Sequence, residues 1–304
     1  MKWSISSHNC FERCQRQYFF SQIMAYHNAK KDPERREAYL LKQLSSLSAW
    51  RGKLVHLALE KYFVPSLQNK ALITCEELTQ KTNAIAHRQL EFSRQRKYRR
   101  EGTTKSKAGD AFLALKVHES DVDRDEEHIE LVFAEIEQCY KNLYNNHKLI
   151  HFLTERADWY QTEFRLSFKF NNVTIVGQPD LLVGYGSKKI CIIDWKTGRS
   201  KTDYSKQLYL YGLSVFKSKN WFNYRLESLL LVEVNLLQNT LVKRTIDESI
   251  QLQMENFIAS SIARLETVTG DRKYDLNLLK NYAYTDNPAF CKYCNFQQIC
   301  RDLP

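Results

Sequence analysis

The run VGQPDLLVGYGSKKICIIDWKTG, from Val176 to Gly198, decides how this chain folds. Two apolar stretches in it each carry one aspartate, Asp180 and Asp194, and Lys196 follows two residues after the second. Burying a lone carboxylate or ammonium costs several kcal/mol, so three such groups along one hairpin call for a shared partner. A divalent cation is the obvious candidate. With the turn centred on Ser187, Gly184 falls opposite Ile190, Leu182 opposite Ile192 and Asp180 opposite Asp194. Directly opposed residues have Cβ atoms about 4.5–5.5 Å apart, close enough for both carboxylates to reach one ion. The strand period returns Lys196 to the same face. Oxygen ligands suit Mg²⁺ or Mn²⁺, which can hold a phosphate and acidify water, while a lysine can position that water or stabilise the transition state. For an isolated Asp-Xaa-Lys the alternative is a salt bridge at the end of an ordinary hairpin.

Outward from this hairpin the pattern extends both ways. After Tyr160 the period becomes two: TEFRLSFKF, opened by Glu163, an Asn171-Asn172 turn, VTIVGQPDLLVG, a GYGSKK turn and ICIIDWKTG. This predicts a three-stranded antiparallel meander. A helix over Tyr204–Lys217, a strand SLLLVEVN, a turn at Gln238-Asn239, a strand LVKRTI and a helix over Asp247–Thr267 follow. Upstream, AWRGKLVHLALEKYF predicts a helix over Ala49–Phe63 with Gly52, His56 and Glu60 on one face. Glu60 can orient the imidazole or be a helix-surface charge. From Val64 to Asp158 the chain is charged and poor in Gly and Pro, a helical insertion. Its basic stretch from Arg94 to Lys107 can guide a nucleic-acid backbone or be a solvated face. The fold class is α/β, a mixed sheet flanked by helices. Residues 1–63 form an N-terminal segment with the first core helix, 64–158 the insertion, 159–270 the core sheet and helices, and 271–304 a C-terminal cysteine segment.

The bulk composition fits a soluble globular chain: 304 residues, 43% hydrophobic and 26% charged. With 45 Lys+Arg against 35 Asp+Glu the net charge is +10, which favours polyanions and makes nucleic acid the leading partner class. No apolar run approaches the ~20 residues that span a bilayer, and an intracellular, cytoplasmic location is expected. There, eight cysteines are thiols or metal ligands rather than disulfides. Cys291, Cys294 and Cys300 stand in a C-x₂-C-x₅-C arrangement, and both iron–sulfur and structural zinc sites usually take four ligands. Cys10 and Cys14 are the N-terminal candidates for the fourth. Cys75, Cys139 and Cys191 fall in helical or strand patterns as buried thiols.

GQPD at Gly177–Asp180 and DWKTG at Asp194–Gly198 resemble the PD-(D/E)XK nuclease superfamily. RGKLVHLALE resembles the His-bearing first motif of its RecB-like branch, and QLYLY, from Gln207 to Tyr211, its Gln-xxx-Tyr motif. The resemblance implies that His56, Asp180, Asp194 and the Trp195 carbonyl bind Mg²⁺ or Mn²⁺, that Lys196 is the catalytic lysine, and that Gln207 and Tyr211 place the DNA strand or the lysine. SISSHNCFERCQRQYFF resembles the opening of the iron–sulfur members of that branch, the AddB-type and CRISPR-adaptation nucleases. It implies a [4Fe–4S] cluster on Cys14, Cys291, Cys294 and Cys300, with Zn²⁺ the alternative; Gln15 departs from the proline common there. The implied activity is a DNA exonuclease on single strands or duplex ends in recombination, repair or CRISPR-related processing, with a helicase or CRISPR-adaptation protein as possible partner. A noncatalytic DNA-binding subunit and a zinc-stapled RNA-processing nuclease are the alternative readings.

Overall fold

In the computed structural model, which describes residues 2–27, 32–119, 126–199, 202–218, 224–270 and 273–302, the apolar run before Lys196 breaks at Pro179. The expected single meander is thereby corrected. Strand β3 (Leu166–Phe170) pairs antiparallel with β4 (Val173–Gly177), and β1 (Lys2–Trp3) adds parallel to β4, giving a three-stranded sheet. Past the break, β5 (Leu181–Tyr185) and β6 (Lys189–Lys196) join a five-stranded sheet of order β2-β5-β6-β7-β8, completed by β2 (Ala157–Thr162), β7 (Leu229–Asn235) and β8 (Thr240–Thr245). Pro179 has no N–H for a ladder, so the chain leaves one sheet there and enters the other. Asn171 and Asn172 both take positive φ, as a tight hairpin turn of this twist needs.

The β5–β6 register is the expected one, Leu182 opposite Ile192 and Gly184 opposite Ile190, but pairing stops at Leu181 opposite Ile193. Asp180 therefore stands just outside the ladder. β2, on the stretch placed across the end of the insertion, is an edge strand antiparallel to β5. Its Trp159 lies across Gly184, where an added Cβ would sit 2.0 Å from the indole nitrogen.

The helices cover both faces of the larger sheet. Alternation along β6 sends Ile190 and Ile192 into one core and Cys191, Ile193 and Trp195 into the other. The first core is shared with α1 (Ile5–Arg13), α6 (Ser205–Lys217) and α7 (Glu248–Thr269). The second is shared with α3 (Leu47–Ala58), α4 (Cys75–Arg94) and α5 (Glu126–Asn145). Between α1 and α3 lies α2 (Pro33–Gln43). Local chemistry starts two of these helices: the Ser46 hydroxyl accepts the Ala49 N–H at the head of α3, which begins two residues before the expected Ala49, and Asp247 accepts the Ile250 N–H at the head of α7, close to the expected start. α3 runs on into a wider helical turn over Leu59–Phe63. In the basic stretch, Arg99 is committed to Glu37 and Glu119, and Arg96 to the His118 carbonyl, so these two arginines fasten the insertion to α2 and to itself. Among the described residues, no helix is long and apolar enough to cross a membrane.

Candidate active site

Asp180 is fixed on three sides by its position at the break. Its carbonyl accepts the Glu163 N–H at 3.1 Å, its Oδ2 accepts the Trp195 N–H at 2.7 Å, and its Oδ1 lies 3.1 Å from His56 Nδ1. Glu163 is held with φ at +47°, a left-handed backbone uncommon for a residue with a side chain. Its carboxylate accepts a hydrogen bond from Gln178 Nε2 at 2.8 Å. As a result, ligand atoms of His56, Glu163 and Asp180, from α3, the end of β2 and the head of β5, lie within 4.8 Å of one another.

Asp194, near the end of β6, is 1% exposed. Its Oδ2 is in ion-pair contact with Lys196 Nζ, yet among the described residues that oxygen has no directed hydrogen bond. A buried carboxylate oxygen with unused acceptor capacity is what a cation would satisfy. From Lys196 the network continues: Nζ donates to Gln207 Oε1 at 3.1 Å, Gln207 Nε2 donates to the Tyr211 hydroxyl at 2.6 Å, and the ammonium lies 4.3 Å from the centre of the Tyr204 ring. Tyr211 packs against the motif glycine. A Cβ on Gly177 would come 3.1 Å from Tyr211 Cδ1 and 3.2 Å from Ser214 Oγ.

The electrostatics follow from this crowding. Burial and the neighbouring Asp180 charge push Asp194 up to about 6, and burial with the charges of Asp180 and Glu60 pushes Glu163 up to about 6. Burial by itself would lower His56, but the Asp180 hydrogen bond and the charges of Asp180 and Asp194 outweigh it and raise it. The two carboxyls resist ionising chiefly because they are buried, and the negative charge gathered around Asp180 adds to this and holds a proton on His56 more firmly. Imidazole with two or three carboxylates is a donor set that fits Mg²⁺ or Mn²⁺.

Of the residues expected from sequence, the structure thus joins His56 to Asp180, and Asp194, Lys196, Gln207 and Tyr211 to one another. Trp195 bridges the two groups through its N–H to Asp180, with its indole 2% exposed in the second core. Glu60 makes no hydrogen bond to His56 among the described residues; it acts on Glu163 through its charge. Sequence reasoning missed Arg51, Glu135 and Asn235, which hold the turn after Lys196. Asn235 had a signal, being a polar residue that closes a mostly apolar strand.

Cys14, Cys291, Cys294 and Cys300 line one cavity of about 250 Å³ with Phe20 and Phe296. Cys10 turns instead to the Ser21 hydroxyl at 3.7 Å. Burial raises the thiols of Cys294 and Cys300, and the neighbouring cysteines add to the effect. Gln15, where the resemblance departs, accepts the Ala283 N–H at 3.0 Å, and Phe20 stacks on Phe296. The two chain ends are therefore packed together around the cavity. Cys139 and Cys191 are buried thiols pushed up to about 12 by burial.

Among solved structures, that of SSO0001 is similar over 59% of this chain and 79% of its own, at 17% identity and a TM-score of 0.28. That of a candidate exonuclease from Eubacterium rectale is similar over 88% of this chain and 91% of its own, at 11% identity and a TM-score of 0.35. No curated protein matches the sequence. The family model described as the PD-(D/E)XK nuclease superfamily matches residues 2–301. A match spanning nearly every residue, including both halves of the acidic site and both ends of the chain, places this protein among the members of the PD-(D/E)XK nuclease superfamily.

Proposed function

We propose that the protein is a Mg²⁺- or Mn²⁺-dependent deoxyribonuclease of the RecB-like, iron–sulfur branch, an exonuclease acting on single strands or DNA ends. The observation that carries this reading is the meeting of His56, Glu163 and Asp180 within 4.8 Å, joined through the Trp195 N–H to the buried Asp194–Lys196 pair. The resemblance assigns the metal to His56, Asp180, Asp194 and the Trp195 carbonyl, and the grouping within 4.8 Å adds the Glu163 carboxylate beside His56 and Asp180. Bound there, the metal supplies Lewis acidity to the scissile phosphate and lowers the pKa of water. Lys196 orients the attacking water and stabilises charge developing on the phosphate, and Gln207 keeps its ammonium aimed, itself held by Tyr211. The surplus of Lys and Arg draws the polyanionic substrate to the protein.

Cys14, Cys291, Cys294 and Cys300 are the proposed ligands of a [4Fe–4S] cluster. The four cysteines line one cavity, and the resemblance to the iron–sulfur members of the branch is what favours the cluster over a single zinc there. The branch implies DNA processing in recombination, repair or CRISPR adaptation, beside a helicase or an adaptation protein.

The test is cleavage of end-labelled single- and double-stranded DNA by anaerobically purified protein with Mg²⁺, Mn²⁺ or chelator, beside Asp194→Ala. Metal-dependent loss of label by wild type alone is expected, and the product ladder gives the polarity. Tight DNA binding without cleavage would instead make the protein a noncatalytic subunit. Cleavage restricted to RNA of matched sequence would replace the substrate assignment.

A further inference from the structure

The turn that follows Lys196 is held at three successive carbonyls. Arg51 Nη2 donates to the Thr197 carbonyl at 2.6 Å, Asn235 Nδ2 to that of Gly198 at 2.9 Å, and Gln238 Nε2 to that of Arg199 at 2.6 Å. Asn235 closes β7, beside Lys196 in the parallel β6–β7 register, and Gln238 lies in the turn that leads from it to β8. Arg51 comes from outside the sheet. It stands on α3, five residues before His56, and its guanidinium is steered by Glu135 in the middle of α5, in the stretch the sequence sets apart as an insertion. Glu135 Oε2 pairs with Arg51 Nη1, while Oε1 accepts from Arg199 Nε at 2.8 Å. Arg51 and Glu135 are 5% and 7% exposed. Next to Arg51, Gly52 lets α3 come close, for a Cβ there would sit 3.3 Å from Thr197 Oγ1.

A buried ion pair is seldom needed for stability, because well-packed apolar residues in its place are often neutral or better. α5 already packs on α3 without it: Trp50 of α3 meets Phe133 edge-on, and Leu54, Val132 and Ile136 share one core. What the pair adds is direction. A guanidinium is a rigid planar fork, so binding one arm to Glu135 fixes where the other arm points, and it points at the carbonyl one residue after Lys196.

We propose that Glu135 is a positioning residue for the active site: through Arg51 it fixes the Thr197 carbonyl and thereby the direction of Lys196 toward Asp194. The inference rests on the nuclease reading above. Groups that orient catalytic or ligating residues from behind typically cost ~10–100-fold in activity or metal affinity when removed.

The experiment uses the full chain as wild type, Glu135→Gln, and the double variant Arg51→Met/Glu135→Leu. The single variant leaves Arg51 buried without its partner and can fail to fold; the double removes both charges and keeps the apolar contact. Two quantities are read: kcat and KM on end-labelled DNA with Mg²⁺, and labelling of the Lys196 amine by an acylating reagent, followed by mass spectrometry of its peptide. The expected result is a fall in kcat of ~10–100-fold with KM changed less than about threefold, and at least about fivefold faster labelling of Lys196, in variants with the urea midpoint of wild type. Wild-type kcat and wild-type labelling in the folded double variant would overturn the proposal. An inactive wild type would overturn the nuclease reading alone, and the labelling would still decide the positioning role.

Discussion

Replacing Asp194 by asparagine should stabilise the metal-free protein at neutral pH. Asp194 is 1% exposed, and burial together with the charge of Asp180 lifts its carboxyl from the ordinary 3.8 to about 6. For a carboxyl raised in the folded state, the stability it allows is fully present below about pH 3.8 and is lost as pH rises through about 6, where the folded protein must ionise a group that resists ionising. A difference of roughly two pKa units at 1.36 kcal/mol each amounts to about 3 kcal/mol. Asparagine resembles the protonated carboxyl in shape and never ionises. Asp194→Asn should therefore match wild type near pH 4 and exceed it by about 3 kcal/mol near pH 8, as read from urea unfolding in chelator. The attraction of Lys196 for Asp194 opposes burial and is included in the net shift. Excess Mg²⁺ should then reverse the order, because a ligand at 1,000 times its Kd adds about 4.1 kcal/mol to the protein that binds it and nothing to one that does not. A variant less stable than wild type near pH 8 in chelator, with the same pH slope, would refute the reasoning and show that the Lys196 ion pair outweighs desolvation.

Three further outcomes are expected. Gly177→Ala places a methyl 3.1 Å from the Tyr211 ring, and such overpacking should cost ~1–3 kcal/mol in urea unfolding and shift Tyr211 off Gln207, lowering cleavage as well; unchanged stability would mean the ring yields freely. Glu163→Gln should weaken Mn²⁺ binding by calorimetry ~10–100-fold while DNA binding in chelator stays within twofold, and equal Mn²⁺ affinity would remove Glu163 from the site. Cys294→Ser should lower iron and acid-labile sulfide in anaerobically purified protein and lower the melting temperature, whereas Cys10→Ser should change neither, since Cys10 faces Ser21 rather than the cavity. Unchanged iron in Cys294→Ser would refute the ligand set.

The hairpin was legible because its signals are local. Alternation marks β5 and β6, and Gly186 and Lys188 supply the positive φ that the turn requires, so register follows from turn position. The change of sheet was not legible, because apolar alternation continues across Gln178–Asp180 and Pro179 is the single local mark of the break. β2 escaped for the opposite reason: an edge strand mostly half-exposed along its length carries no clean period. His56 and Asp180 lie 124 positions apart and were paired only through the family resemblance, whereas their hydrogen bond is a product of the sheet break that turns Asp180 out of the ladder. Glu163 depends on a left-handed backbone that nothing in TEFRL announces.

The Arg51–Glu135 pair shows where such reading ends and why the stretch from Val64 to Asp158 matters. Two residues 84 positions apart leave no trace of their meeting in composition or period, and each by itself reads as a helix-surface charge. Once α5 lies on α3, both are desolvated, and each then needs the other more than either needs water. The same packing that buries Trp50, Leu54 and Ile136 therefore carries a carboxylate to the back of the turn that bears Lys196. Helix α5 thus reaches the turn after Lys196 through Arg51, and removing residues 64–158 would leave without its carboxylate partner the arginine that binds the Thr197 carbonyl.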